Sequence, residues 1–301
     1  MKPSRDGLLV LDKPGGLTSR AALDRALRWF PRGTRMGHTG TLDPLATGVL
    51  VLCLGAATRL AEYVQRMGKT YRTTLRLGAR SDTDDADGTV TPAEVAVPPD
   101  TAAVLAALPG FTGTIEQVPP AYSAAKVTGQ RAYDLARQGR QVELQARRID
   151  VYGLDLLRYE YPYLDLEVRC GKGTYIRSLA RDLGERLGCG ALVQTLRRTR
   201  VGPFTAEEAV TLETEAQAAR SRVLPVGLAV VELPRAVLRA AEVERLRRGQ
   251  TVPLDVRDAP PAAGSETREV AVFDVHDRLV AVAGYDPARR LLRPGKNLPL
   301  S

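Results

Sequence analysis

The sequence predicts an α+β protein with a small β-rich unit at its C-terminal end. Three observations carry that expectation. Residues 70–78 alternate, with Tyr71, Thr73, Leu75 and Leu77 on one strand face and Arg72, Thr74 and Arg76 on the other. From Tyr175 to Leu187 the apolar positions Ile176, Leu179, Ala180, Leu183 and Leu187 fall on a single stripe at helical spacing. Near the end of the chain, 270–275 and 279–284 are two apolar runs around His276-Asp277-Arg278, which reads as two strands and their connecting turn.

The other elements follow in chain order. Leu8 to Leu11 is a short apolar strand closed by the turn Lys13-Pro14-Gly15-Gly16. Thr18 or Ser19 caps a helix that reaches about Phe30. A loop rich in Gly and Thr, Gly37 to Gly48, leads into the apolar run Val49 to Leu54, and a helix is expected from Thr58 to about Gln65. Ser81 to Gly88 is an acidic loop; it lacks the closing Glu that a calcium loop needs. Residues 91–110, rich in Pro and Ala, read as a connector with one helix, and Pro119 to Lys126 as an exposed loop. A short helix from Arg131 to Gln138 is stopped by Gly139. Strands near 147–157 and 163–170 form a hairpin around Glu160-Tyr161-Pro162. Gly171-Lys172-Gly173-Thr174 places donors at the start of the regular helix, where an anion can bind, but the full Gly-x4-Gly-Lys-Ser/Thr phosphate loop is absent. A boundary at Glu232-Leu233-Pro234 divides the chain into units 1–232 and 233–301, and a helix from Ala241 to Arg248 ends at Gly249.

Composition narrows the classes of function. The 301 residues are 44% hydrophobic and 26% charged, which fits a folded globular chain. The net charge is +8, and both parts are basic: residues 234–301 hold 12 Lys/Arg against 9 Asp/Glu, and the remainder 31 against 26. Such a surface suits a polyanion that spans both parts. Cys53, Cys170 and Cys189 form neither a CxxC pair nor a disulfide framework, and two histidines, His38 and His276, do not make a metal cluster. The N-terminus lacks the apolar core of a signal peptide, and no apolar run approaches membrane-spanning length. The expectation is a cytoplasmic protein with no membrane association and no bound metal.

Asp43 is the leading candidate for chemistry. It stands before Pro44 in a loop dense in Gly and Thr, at the mouth of a buried strand. Glycines let a backbone approach a ligand closely, and a residue before proline favours extended or turn geometry. An Asp-Pro pair can equally cap a turn. On this loop alone both readings stand.

Together, the loop Asp, the strand Tyr, the helix-start Tyr-x-Arg and the basic β-rich tail resemble the TruB family of tRNA pseudouridine synthases. The resemblance runs through five motifs in order: Leu11 to Ser19; Gly37 to Gly48; Lys69 to Arg72 with Ser81 to Gly88; Gln117 to Ala124; and Gly171 to Arg177 with Asp182-Leu183-Gly184. It implies a pseudouridine synthase fold, with a large mixed, mainly antiparallel sheet and flanking helices. Its catalytic domain is residues 1–232, interrupted by an RNA-clamping insertion at about 111–146. The tail, 233–301, resembles a small PUA-like RNA-binding domain, with an insert at 257–269.

The same resemblance implies isomerisation of a uridine, conventionally numbered 55 in the tRNA T loop, to pseudouridine without a cofactor. By motif match Asp43 is the essential carboxylate, acting as nucleophile or base, and Arg177 is its partner. A guanidinium gives a two-pronged contact that keeps an acid ionised. Tyr71 matches the aromatic that stacks on the target uracil and can help move the C5 proton; Tyr175 and Leu196 match residues lining the base pocket. His38 matches the residue that fills the gap left by the flipped base, Asp85 an acid near the flipped nucleotide, and Lys13 is the substrate-binding candidate of the opening motif. Lys126, Arg131, Arg197, Arg198, Arg247, Arg248, Arg289, Arg290 and Lys296 are candidates for phosphate contacts. The expected partner is the tRNA T stem-loop, bound by a monomer with no obligatory protein partner. Two other readings remain: a dyskerin-type synthase that takes its target from a guide RNA, and a non-catalytic RNA-binding or tRNA-folding protein.

Overall fold

A computed structural model describes residues 6–123, 126–127, 130–131, 144–254 and 268–298. The strands are β1 (Gly7–Lys13), β2 (Met36–His38), β3 (Thr47–Leu54), β4 (Lys69–Leu77), β5 (Ala79–Ser81), β6 (Val90–Pro92), β7 (Gly113–Gln117), β8 (Lys126–Val127) and β9 (Gln130–Arg131). They continue with β10 (Arg147–Glu160), β11 (Tyr163–Cys170), β12 (Ala191–Val201), β13 (Phe204–Thr205), β14 (Arg235–Leu238), β15 (Val252–Pro253), β16 (Arg268–Asp274), β17 (Leu279–Asp286) and β18 (Leu291–Asn297).

The main sheet runs β1-β3-β12-β4-β11-β10-β7, with β2 added on β3 and β13 on β12. The β3–β12 pair is parallel and the others are antiparallel, so the sheet is mixed and mainly antiparallel. Its apolar patterns follow from what covers each face. Leu9, Leu11, Leu50, Leu52 and Leu54 pack into the core with helix Ser19–Leu27. Leu8, Val10, Val49, Val51 and Cys53 pack into a second core with Tyr63, Val64, Ala271, Val282 and Leu298. Burial on both faces is why β1 and β3 read as unbroken apolar runs. In β4 one face is buried and Arg72 is exposed on the other, so that strand alternates.

The second core joins the C-terminal sheet, β14-β16-β17-β18-β15, to the main one. A polar rim surrounds the joint. The Tyr63 hydroxyl donates to Glu269 at 2.7 Å, Arg59 donates to the Asn297 carbonyl at 2.7 Å, and Lys296 pairs with Glu62.

The observed helices are close to the expected ones. Helix Ser19–Leu27 starts with Thr18 as its cap, whose hydroxyl accepts from the Ala21 N–H. The Thr58–Gln65 helix is a tight 3-10 turn, Gly55–Leu60, followed by helix Ala61–Arg66. Helix Thr101–Ala107 lies in the connector, and helices Ile176–Arg186 and Ala240–Arg247 stand within one residue of expectation.

Two local readings change. Pro119, Pro120 and Ser123 are buried, because this loop lies against helix Ile176–Arg186 and not out in solvent. Arg131 closes the short strand β9, and the remainder of the expected helix to Gln138 lies outside the described residues, as does most of the 257–269 insert. No described helix is long and apolar enough to cross a membrane.

Candidate active site

Asp43 sits on a loop fixed from four directions. The Ser19 hydroxyl donates to the Leu42 carbonyl at 2.9 Å and accepts the Leu42 N–H at 2.7 Å. The Gly16 N–H donates to Pro44 O at 2.8 Å, and the Ala46 N–H to Asp43 O at 3.1 Å. Lys13 Nζ donates to the carbonyls of Pro14 and Leu17, both at 2.8 Å, and of Pro44 at 3.3 Å. Arg198 donates through Nε to Val49 O at 2.8 Å and through Nη2 to Gly40 O at 3.2 Å. Gly48 closes the loop with φ +100°, and a Cβ there would lie 2.1 Å from the Arg198 carbonyl oxygen, so only glycine fits.

The loop presents the Asp43 carboxylate to Arg177, at the start of helix Ile176–Arg186. Arg177 Nε donates to Asp43 Oδ2 at 2.9 Å and lies 3.5 Å from Asp85 Oδ2. Its other nitrogens donate to Thr83 O at 2.8 Å and Tyr122 O at 2.9 Å. The Arg177 side chain is 5% exposed, whereas that of Asp43 keeps 34%. The pair is therefore a buried cation holding an anion that still faces the cleft mouth. Burial pushes the Asp43 carboxyl up from the ordinary carboxylate range; Arg177 and Lys13 pull it down, and Asp85 pushes it up.

Asp85 is buried, and its Oδ1 accepts from the Thr83 hydroxyl at 2.6 Å and the Asp87 N–H at 3.1 Å. Its acidic loop is tied to the sheet by backbone bonds at Val193. The Asp84 carboxylate takes Arg181 at 3.0 Å.

The remaining site residues come from the sheet. Tyr71 on β4 faces Arg198 on β12, and Thr73 faces Leu196, so these four share one face. Tyr71 and Leu196 belong to the same core cluster as Leu42. His38 ends β2 beside Leu52, and its Nδ1 is buried without a partner among the described residues. Burial, then the charges of Arg198 and Arg20, push the His38 imidazole down, which favours its neutral form. Tyr175 is the N-cap residue of helix Ile176–Arg186; its N–H donates to Gln117 Oε1 at 2.8 Å, and its carbonyl accepts from Gln117 Nε2 at 3.1 Å.

Two expected RNA contacts are placed elsewhere. Lys13 is fully buried and bonded to carbonyls, and desolvation brings its ammonium down to about 8; it shapes the Asp43 loop and has no surface to offer a substrate. Arg198 is 3% exposed, so it does not meet phosphates from the surface. Arg197 forms a two-pronged pair with Asp12, at 2.7 and 3.0 Å. Arg248 pairs with Glu244, Arg247 donates to the Leu298 carbonyl, and Arg289 and Arg290 are exposed. The Lys126 and Arg131 side chains lie outside the described residues.

Ser19, Thr83 and Gln117 are the supporting residues that a reading of single motifs misses. The adjacent Thr18-Ser19 is a usable signal: one hydroxyl caps the helix and the other is free to bond elsewhere. Among the described residues no group of three or more His, Cys, Asp or Glu side chains is arranged to hold a metal ion.

The comparisons with known proteins agree on kinship. The TruB family pseudouridylate synthase N-terminal domain matches residues 28–176, and the tRNA pseudouridylate synthase B C-terminal domain matches 177–226. The chain belongs to the TruB family. Proteins named tRNA pseudouridine synthase B are similar to it over most of their length. That of Burkholderia mallei is 46% identical over 92% of each chain. That of Pseudomonas paraeruginosa is 50% identical over 71% of this chain and 70% of its own. Among solved structures, a chain of a Cbf5-Nop10-Gar1 complex superposes with a TM-score of 0.73 at 27% identity, covering 98% of this chain and 84% of that one. A chain of an H/ACA RNP bound to a substrate RNA containing 2'-deoxyuridine gives 0.72 at 25%, covering 97% and 85%. The TruB-family chain thus has the pseudouridine synthase fold, with a β-rich C-terminal sheet.

Proposed function

We propose that this chain isomerises the uridine conventionally numbered 55 in the T loop of tRNA to pseudouridine, as a stand-alone enzyme, with Asp43 as the reacting carboxylate. The observation that carries the proposal is the 2.9 Å Asp43–Arg177 pair, in which a buried guanidinium spends its other donors on backbone carbonyls. A carboxylate held this way is oriented and partly exposed, and Arg177 favours its ionised form. It can add to an electrophilic carbon, or assist departure of the base by acting on the sugar. The relatives named tRNA pseudouridine synthase B support tRNA as the substrate.

A base inside an RNA loop must leave its stack before it can react, and an aromatic face offsets the lost stacking. Tyr71 takes that role, with Leu196 and Tyr175 closing the base pocket. His38, in neutral form, occupies the space the base vacates. Asp85 approaches the same Arg177 nitrogen as Asp43, at 3.5 Å, and organises the acidic loop near the flipped nucleotide. Exposed cations such as Arg289 and Arg290 meet phosphates, so binding weakens as salt rises.

The likeness to the chain of a Cbf5-Nop10-Gar1 complex favours a second reading, in which activity needs partner proteins and a guide RNA. One experiment separates the two. A T-arm hairpin tritiated at uridine C5 is incubated with the purified chain alone, with D43N as control. Stoichiometric tritium release by the wild type only supports the stand-alone isomerase. Tight, salt-sensitive binding with no release overturns it in favour of a guide-dependent or purely RNA-binding protein.

A further inference from the structure

Arg198 is the strongest buried charge that the proposed chemistry leaves unused. It lies on β12 between the two strands that carry the site. On one side its register partner is Gly48, at the end of the Asp43 loop; on the other it is Tyr71. Its guanidinium donates to Val49 O and Gly40 O, with Thr41 O at the edge of reach at 3.5 Å. Among the described residues it has no carboxylate within ion-pair distance. A cation buried this deeply and bonded to neutral carbonyls keeps its full charge, and desolvating it is costly. A leucine or methionine would fill the space without that cost.

We propose that Arg198 is a positioning residue of the isomerisation: clamped to the Asp43 loop, it orients the Tyr71 hydroxyl and supplies the positive charge that lets this oxygen take the C5 proton. The inference rests on the isomerase reading given above. In the step it serves, the new bond between the sugar carbon and C5 has formed and C5 still carries its hydrogen. The deprotonated Tyr71 oxygen takes that hydrogen as a proton, and the electron pair of the C–H bond returns to the ring. Tyr71 becomes a neutral phenol and later passes the proton to water.

The other surroundings of Tyr71 disfavour its deprotonated form, which is what makes an opposing charge matter. Burial pushes its hydroxyl up, Cys170 on β11 and Asp43 on its loop push it in the same direction, and the charge of its register partner Arg198 opposes them. The Arg198 charge also reaches Lys13, His38, Lys69 and Cys170, which makes it the common cation of the cleft floor.

The test uses the full chain under single-turnover conditions, with T-arm hairpins carrying hydrogen or deuterium at the target C5. R198Q removes the charge and R198K keeps it. The expected result is a loss of about 10²-fold in rate for R198Q, the scale of a misplaced proton-transfer group, with hairpin affinity unchanged. R198Q also gains a C5 isotope effect that the wild type lacks, R198K recovers much of the rate, and R198Q/Y71F is no slower than Y71F. If R198Q does not fold, R198K carries the test: its smaller loss must show the isotope effect and vanish in the Y71F background. A wild-type rate in R198Q overturns the proposal. So does a loss without isotope effect that multiplies with Y71F, which marks a purely structural residue. A wild type that releases nothing condemns the isomerase reading instead.

Discussion

The two sheets of this chain treat their cations in opposite ways. Around Asp43, the cations Lys13, Arg177 and Arg198 are buried and bonded chiefly to backbone carbonyls. In and beside the C-terminal sheet Arg278 pairs with Asp274, Arg293 with Asp286 and, at the end of a helix, Arg248 with Glu244, each arginine side chain about half exposed or more. A carbonyl satisfies a donor without cancelling its charge, whereas a carboxylate does both. Near Asp43, Lys13 and Arg198 therefore keep their charge uncancelled, while Arg177 is shared between Asp43 and Asp85. The tail has locally neutral pairs, and its exposed Arg289 and Arg290 carry no ion pair among the described residues.

The largest effect expected from disturbing the cleft is that of D43N. Isomerisation should fall by about 10⁴-fold or more, the scale on which removal of a reacting group is felt, while hairpin binding by filter retention stays close to wild type. Loss of binding together with activity would show that the loop had collapsed. R177M comes next, with an expected rate loss of about 10²- to 10³-fold from lost charge stabilisation. Its pH profile has a defined sign. Activity requires the ionised carboxylate, so it falls as pH drops through the Asp43 pKa. Arg177 pulls that value down, so its removal moves the acid limb to higher pH. A profile that keeps its acid limb in place would break the assignment of that limb to Asp43.

Lys13→Met sharpens the comparison through stability. Three carbonyls lose their donor, which should cost about 2 kcal/mol at neutral pH. Lys13 stands at about 8 in the folded chain against 10.5 when unfolded. Between those values the unfolded state holds the extra proton, so folding stability rises with pH there. The advantage of wild type over K13M should accordingly widen between pH 8 and 10, read from urea midpoints of both proteins. Ser19→Ala removes both bonds to Leu42 and should cost about 1–2 kcal/mol in the same assay.

Much of this contrast is written in the sequence, though unevenly. Alternation in β4 and the helical stripe 176–187 were legible because one face of each is covered and the other is not. Asp43, Tyr71 and Arg177 could be named from their motifs, and the resemblance implied the partnership of Asp43 with Arg177, which lie 134 positions apart and meet at 2.9 Å. The fate of individual cations was not legible. Arg197 and Arg198 are neighbours of the same type; strand alternation sends one to Asp12 at a partly exposed rim and the other into the floor. Nor could composition show that Pro119, Pro120 and Ser123 are buried, since what covers them is a helix more than fifty residues later. Strands β14, β15 and β18 went unread because each is short or interrupted by Pro, Gly or charge.

The smallest expected effect lies in the tail, at Arg248→Ala. Arg248 and Glu244 stand four apart at the end of a helix, 3.2 Å from each other, and both side chains are more than half exposed. Water screens such a pair, and holding two long side chains together has an entropic cost, so its loss should change stability by no more than about 0.5 kcal/mol. RNA binding gives the sharper readout. With Glu244 left in place, loss of a cation that is already paired should barely alter the dependence of hairpin affinity on salt. Removing exposed Arg290 instead should lower the slope of log affinity against log salt by about one. Equal slopes for the two variants would mean that the pairing seen in the tail does not decide which cations meet RNA, and the contrast with the carbonyl-bound cations of the cleft would then rest on burial alone.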